Sequence, residues 1–185
     1  ALRAETNYGI YYCSDISQES PSFTKVYTGN AYGVLYGLAE SSDGSLFCGW
    51  YGYISGTSTG VLKSSDRGET WASCATFNAQ HMHAVRTNPY NNYTYAICGE
   101  GGAGDSLKVY RSKNNGTSWT NICTPSERAV GIGFIGNDAY FGSDIPGSTN
   151  YIWKITDDGT DGPFTISTVY TIEMFAHMFF SMATL

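Results

Sequence analysis

An all-β fold, a β-propeller of four-stranded antiparallel blades, is predicted by three observations. The chain carries 22 glycines and 15 tyrosines while only 14% of its 185 residues are charged, a balance that suits short strands and tight turns over salt-bridged helices. The octet SSDRGETW, Ser64 to Trp71, returns imperfectly as SKNNGTSW, Ser112 to Trp119. Between the copies, apolar and polar residues alternate in paired short runs split by turn residues, which is the pattern of hairpins.

The elements follow in order from this repeat. YGIYYCS and then SFTKVYT open the chain as the flanks of a worn octet, a third and a fourth strand. Three hairpins come next: YGVLYGLAES with SLFCGWYGYI, HMHAVRTNP with YTYAICGE, and AVGIGFIG with DAYFGSDI, turning at SSDG, NPYNN and GND. After each hairpin a third strand enters the octet place (GVLKS, LKVYRS, NYIWKI) and a fourth leaves it (WASCATF, WTNICTP, FTISTVYT). Asp66 and Asn114 hold the same octet place 48 residues apart, and Gly159 of Thr156-Asp157-Asp158-Gly159 follows Gly116 by 43. Four strands at that period make one propeller blade. The repeats run over residues 1–28, 29–77, 78–124 and 125–170, with a partial copy at 171–185, as one domain or a propeller fragment. The ends read as complementary halves of a blade. They are consistent with a piece of a larger propeller, with a four-bladed ring in which the C-terminal inner strands complete the first blade, and with half of an oligomeric ring.

The motif S-x-D-x-G-x-T-W resembles the Asp box, or BNR repeat, of sialidase-like propellers. On that resemblance Ser64, Asp66, Gly68 and Trp71, with Ser112, Asn114, Gly116 and Trp119, are structural: each octet is a locked turn between the outer strands. Asp66 is expected to accept backbone N–H bonds and Gly68 to take a positive φ. The third copy offers Phe164 where the tryptophan is lost. The resemblance also implies a ligand mouth at the end of the blades opposite the octets.

Connections at that end supply the candidate ligand residues. Trp50, Glu100 and Asp144 open the second-to-third-strand loops at matching sequence positions, with Tyr51, Tyr53 and Asp105 beyond them, and TPSER brings Arg128. The inner strands add His81 and His83, then Glu173 and His177. Trp50, Tyr51 and Tyr53 are a candidate sugar platform. Glu100, Asp144 and Glu173 are candidate carboxylates for glycoside hydrolysis, although acidic residues in glycine-rich loops more often cap turns. His81, His83 and His177 suit a metal ion, with Glu100 or Glu173 as a further ligand, but channel histidines commonly bond to water or backbone, and no cofactor is expected. Sialidase activity would require three arginines on a substrate carboxylate. Arg67 and Arg111 fall at the octet end, and the R-I-P motif preceding the boxes in sialidases is absent, so true sialidase activity is disfavoured.

Charge and cysteines narrow the classes further. A net charge of −6 without a basic cluster excludes a phosphate-backbone or anionic-lipid footprint. No run of about 18 apolar residues occurs, so membrane insertion is not expected, and with no export signal at the start, any such signal is expected to have been removed. The five cysteines recur at repeat positions and are expected as buried thiols. The function predicted is a non-catalytic module, extracellular, secreted or virion-associated, that binds carbohydrate or a protein partner and is a candidate for homo-oligomerisation; the alternative is a glycoside hydrolase with a carboxylate pair at the mouth.

Overall fold

A computed structural model describes residues 9–29, 34–51, 58–100 and 107–172. Within them lie fourteen strands and no helix. A two-stranded hairpin, β1 (Gly9–Tyr12) with β2 (Thr24–Thr28), precedes three antiparallel four-stranded sheets. The first contains β3 (Val34–Glu40), β4 (Leu46–Tyr51), β5 (Thr59–Ser64) and β6 (Ala72–Phe77). The second contains β7 (Met82–Thr87), β8 (Thr94–Cys98), β9 (Lys108–Ser112) and β10 (Thr120–Cys123). The third contains β11 (Ala129–Ile135), β12 (Asp138–Ser143), β13 (Asn150–Thr156) and β14 (Ser167–Ile172). Each sheet pairs its strands in chain order, so the connections are short hairpins. This is the blade of a propeller, as the repeat predicts.

Side-chain alternation explains why the sheets stack. In β8, Tyr95 and Ile97 face the third sheet, where they meet Phe134, Phe141, Trp153 and Ile155. Ala96 and Cys98 face the other way, with Phe47, Val61 and Phe77 of the first sheet. The middle sheet is thus covered on both faces, and TYAIC is buried at every position. Strands β3 and β11 flank β7 on its two sides. Gly37 lies on the β3 side at φ +71°, where an added Cβ would stand 3.1 Å from the Val85 carbonyl oxygen. Glycine permits that close approach of two inner strands.

The octets do more than lock their own turns. In the first copy Ser64 Oγ accepts from Gly68 N at 2.7 Å, Asp66 Oδ1 accepts from Thr70 N at 2.9 Å, and the Trp71 indole donates to Gly68 O at 3.0 Å. The second copy repeats the set with Ser112 Oγ and Gly116 N at 2.8 Å, Asn114 Oδ1 and Ser118 N at 2.9 Å, and Trp119 Nε1 and Gly116 O at 3.2 Å. Arg67 and Asn115 precede the glycines at positive φ, 59° and 55°. That conformation turns Asn115 onto the preceding sheet, where its amide donates to Asp43 and Ser45 while Lys63 donates to its carbonyl at 2.8 Å. Phe47 of that sheet packs against Gly116. The second turn therefore staples two neighbouring blades.

In the third copy this staple is an ion pair. Arg111 and Asp157 bond to each other with both side chains fully buried, Tyr95 donates to the same carboxylate, and the guanidinium lies between the rings of Tyr93 and Phe164 at 5.2 and 5.3 Å. Arg111 follows Val109 by two residues, so both point at the third sheet. The last outer strand starts at Ser167, three residues later than FTISTVYT predicts; Phe164 N donates instead to Ile122 O of the second sheet at 2.6 Å. All five cysteines are free thiols, with Cys48, Cys98 and Cys123 buried and Cys13 and Cys74 partly so.

Candidate functional site

The octets terminate β5 and β9, while the connections out of β4 and β8 reach the start of those same strands, so the two sets of loops lie at opposite ends of a blade. At the end away from the octets, five predicted residues or their neighbours converge. His81 precedes β7, His83 lies in it, Glu100 follows β8, Arg128 precedes β11 and Asp144 follows β12.

A repeated backbone irregularity sets this arrangement. The register of each inner hairpin shifts once, at Gly37, His83 and Val130, between Tyr36 and Leu38, Met82 and Ala84, and Ala129 and Gly131. Such bulges re-aim side chains near the end of a strand. Just beyond them, Gly99 N donates to His81 O and Asp144 N donates to Arg128 O, each at 2.9 Å. These bonds make His81 and Arg128 equivalent, and likewise Gly99 and Asp144. Glu100 therefore stands one residue past the place of Asp144. Trp50 lies within β4, paired to Leu35 and Gly60, so the sequence match of Trp50, Glu100 and Asp144 does not survive in the register. The one-residue advance lets Glu100 reach across to both histidines and to the arginine of the next blade.

The result is a continuous polar chain. Glu100 Oε1 lies 2.5 Å from His81 Nδ1 and 3.2 Å from His83 Nε2, and His83 Nε2 also stands 3.1 Å from Gly99 O. Glu100 Oε2 accepts from Arg128 Nη1, whose Nη2 bonds Asp144 Oδ2 at 3.1 Å and whose Nε donates to Asp144 O at 3.0 Å. Burial pushes the Glu100 carboxyl up, but the bonds from His83, His81 and Arg128 outweigh it and hold the group well below the usual carboxylate range. Asp144 Oδ1 is buried and accepts no hydrogen bond among the described residues. Beside the chain opens a cleft of about 230 Å³, lined by Glu100, Glu127, Arg128, Asp144, Ile145 and Pro146 among others. A second cavity, of about 300 Å³, runs between the inner strands past Gly37, His83, Val85 and Ile132.

Of the other candidates, the side chains of Tyr51 and Tyr53, and the whole of Asp105, Glu173 and His177, lie outside the described residues. Trp50 is half-buried, its indole nitrogen against Gly60 on the neighbouring strand. The octet residues lie at the far end of the blades. The Glu100–Arg128 pairing, which joins two blades, was not visible in the sequence; the only signal was that both residues lie in connections at the same end.

No known protein-family profile matches the chain, and no curated protein matches it by sequence. Solved structures do resemble it. A chain of a nidogen–laminin complex superposes with a TM-score of 0.58 at 13% identity, covering 85% of this chain and 56% of that one. The GH93 α-L-arabinofuranosidase of Fusarium graminearum, solved with arabinobiose, gives 0.52 at 14% identity over 76% of this chain and 48% of that one. A protein of unknown function from Dyadobacter fermentans gives 0.54 at 14% identity, covering 80% and 54%. This chain thus spans about half the length of the structures it resembles, and at these identities what is shared is the propeller architecture.

Proposed function

We propose that the chain is a non-catalytic propeller module of the Asp-box, sialidase-like kind, which binds carbohydrate at the end of the blades away from the octets. The observation that carries this reading is the cleft of about 230 Å³ at that end of the blades, lined by Glu100, Arg128 and Asp144 among others. Carboxylates and a guanidinium converging in one cleft are the acceptors and donors that fix sugar hydroxyls. Arg128 fixes Asp144 and Glu100 in position for further hydroxyls. A net charge of −6 favours a neutral or amino sugar over an acidic one.

The same clamp argues against hydrolysis. Glycosidases need one carboxyl group to carry a proton while its partner is ionised. Here the bonds from His83, His81 and Arg128 hold Glu100 well below the usual carboxylate range, so it does not serve as the proton-carrying member of such a pair. An array of neutral and amino glycans, read with the wild-type chain and with Asp144→Asn and Arg128→Ala, tests the reading. Binding that both substitutions weaken, with no release of reducing sugar by the wild type, is the expected result. Turnover of any bound glycan would establish the hydrolase instead, and binding indifferent to both substitutions would place the ligand elsewhere.

A further inference from the structure

We infer that His81 Nδ1, His83 Nε2 and Glu100 Oε1 form a three-ligand seat for a divalent first-row transition cation. The inference stands independently of glycan binding. These three atoms all lie within 4.8 Å of one another. In a tetrahedral zinc site, bonds of roughly 2.0–2.2 Å set ligand atoms about 3.3 Å apart. The His83 to Glu100 separation, 3.2 Å, already has that value. The His81 to Glu100 contact of 2.5 Å needs to open by about 0.8 Å, a small torsional change in two side chains.

The contacts also explain what occupies the seat when no cation is there. Two imidazole nitrogens converge on one carboxylate oxygen: the hydrogen on His81 Nδ1 points at that oxygen, and the hydrogen on His83 Nε2 lies between it and Gly99 O. A cation replaces those hydrogens: each ring moves its proton to the opposite nitrogen, Nε2 of His81 and Nδ1 of His83, and remains neutral. With neutral rings, Glu100, Asp144 and Arg128 together carry one net negative charge, which suits a cation.

The outer support is in place as well. Arg128 holds the distal oxygen of Glu100, Asp144 holds Arg128, and the bond from Gly99 N to His81 O ties the two strand ends that carry the ligands. Partners of this kind orient metal ligands and tune affinity. Two nitrogen donors and one oxygen select zinc, manganese or their neighbours; calcium and magnesium prefer all-oxygen shells.

The test uses the full 185-residue chain, stripped with a chelator and titrated calorimetrically with Zn²⁺, Mn²⁺, Ca²⁺ and Mg²⁺. One saturable Zn²⁺ or Mn²⁺ site per chain is expected, weakened at least about tenfold in His81→Ala and in Glu100→Gln. Because a substitution in this cluster can also perturb folding, ¹⁵N spectra of the histidine rings in the unaltered chain supply a second readout. One δ1 and one ε2 nitrogen, from two of the three histidines, should shift together on adding Zn²⁺. No saturable Zn²⁺ or Mn²⁺ binding, binding unchanged in both variants, or ring nitrogens that do not move would each overturn the assignment.

Discussion

Replacing Gly116 with alanine tests whether the octet turns hold neighbouring blades together. Gly116 has φ +81°, and an added Cβ would stand 2.7 Å from Phe47 Cε1 and 3.4 Å from Cys74 Sγ, both in the preceding sheet. Two costs add. Placing an L-residue in left-handed backbone costs about 1–2 kcal/mol, and forcing a methyl group into a packed contact costs about 1–3 kcal/mol. The sum is about 2–5 kcal/mol, a large share of the ~5–15 kcal/mol typical of a domain. Gly68 is the internal control, since it occupies the same place at φ +97° with no atom of the described residues closer than 3.5 Å. Gly68→Ala therefore carries the backbone cost alone, about 1–2 kcal/mol. Urea unfolding followed by tryptophan fluorescence measures both variants. At a slope of ~2 kcal/mol per molar, Gly116→Ala should lower the midpoint by about 1–2.5 M, and Gly68→Ala by no more than about 1 M. Equal losses in the two variants would refute the claim that the second octet is braced by the neighbouring blade.

Further expectations concern the buried charges, acid stability and the thiols. Arg111→Met leaves the Asp157 carboxylate buried without its cation and should cost about 3–5 kcal/mol, with thermal unfolding as the readout; a loss below about 1 kcal/mol would contradict the burial of the pair. Hydrogen bonds from the Thr70 hydroxyl, the Thr70 N–H and Ser64 lower the Asp66 carboxyl from its usual 3.8 to about 2. Its contribution is therefore full above about pH 4 and fades as pH falls through about 2. The stability difference between wild type and Asp66→Ala should shrink over that interval, and a difference independent of pH would refute the assignment. Burial pushes the Cys48 and Cys123 thiols up to about 12, so with a thiol reagent at pH 8 Cys13 and Cys74 should react first, as peptide mass spectrometry of the labelled chain would show. Early labelling of Cys123 would contradict its place in the core.

The strand order and the octet turns were legible in the sequence because their causes are local. Alternation over five or six residues sets a strand, and the Ser64, Asp66 and Gly68 spacing satisfies one turn with its own atoms. What the octets touch was not legible. Asn115 grips Asp43 across 72 positions, and nothing near Asn115 signals it. Arg111 looks like a surface residue beside a turn, yet the stacking of a third sheet buries it completely. The candidate site divides in the same way. Glu100, Arg128 and Asp144 were identifiable from loop position and His81 and His83 from alternation at the start of an inner strand, because strand direction alone sends those segments to one end. Which of them bond depended on bulges at Gly37, His83 and Val130, on a one-residue offset that carries Glu100 past the place of Asp144, and on the angle between adjacent blades. By itself the sequence determined the strands and turns, since short-range hydrogen bonding and side-chain alternation suffice for them. Only the tertiary structure decided the polar chain and the staples, since a register shift of one residue, and the packing of one sheet on the next, join groups far apart in sequence.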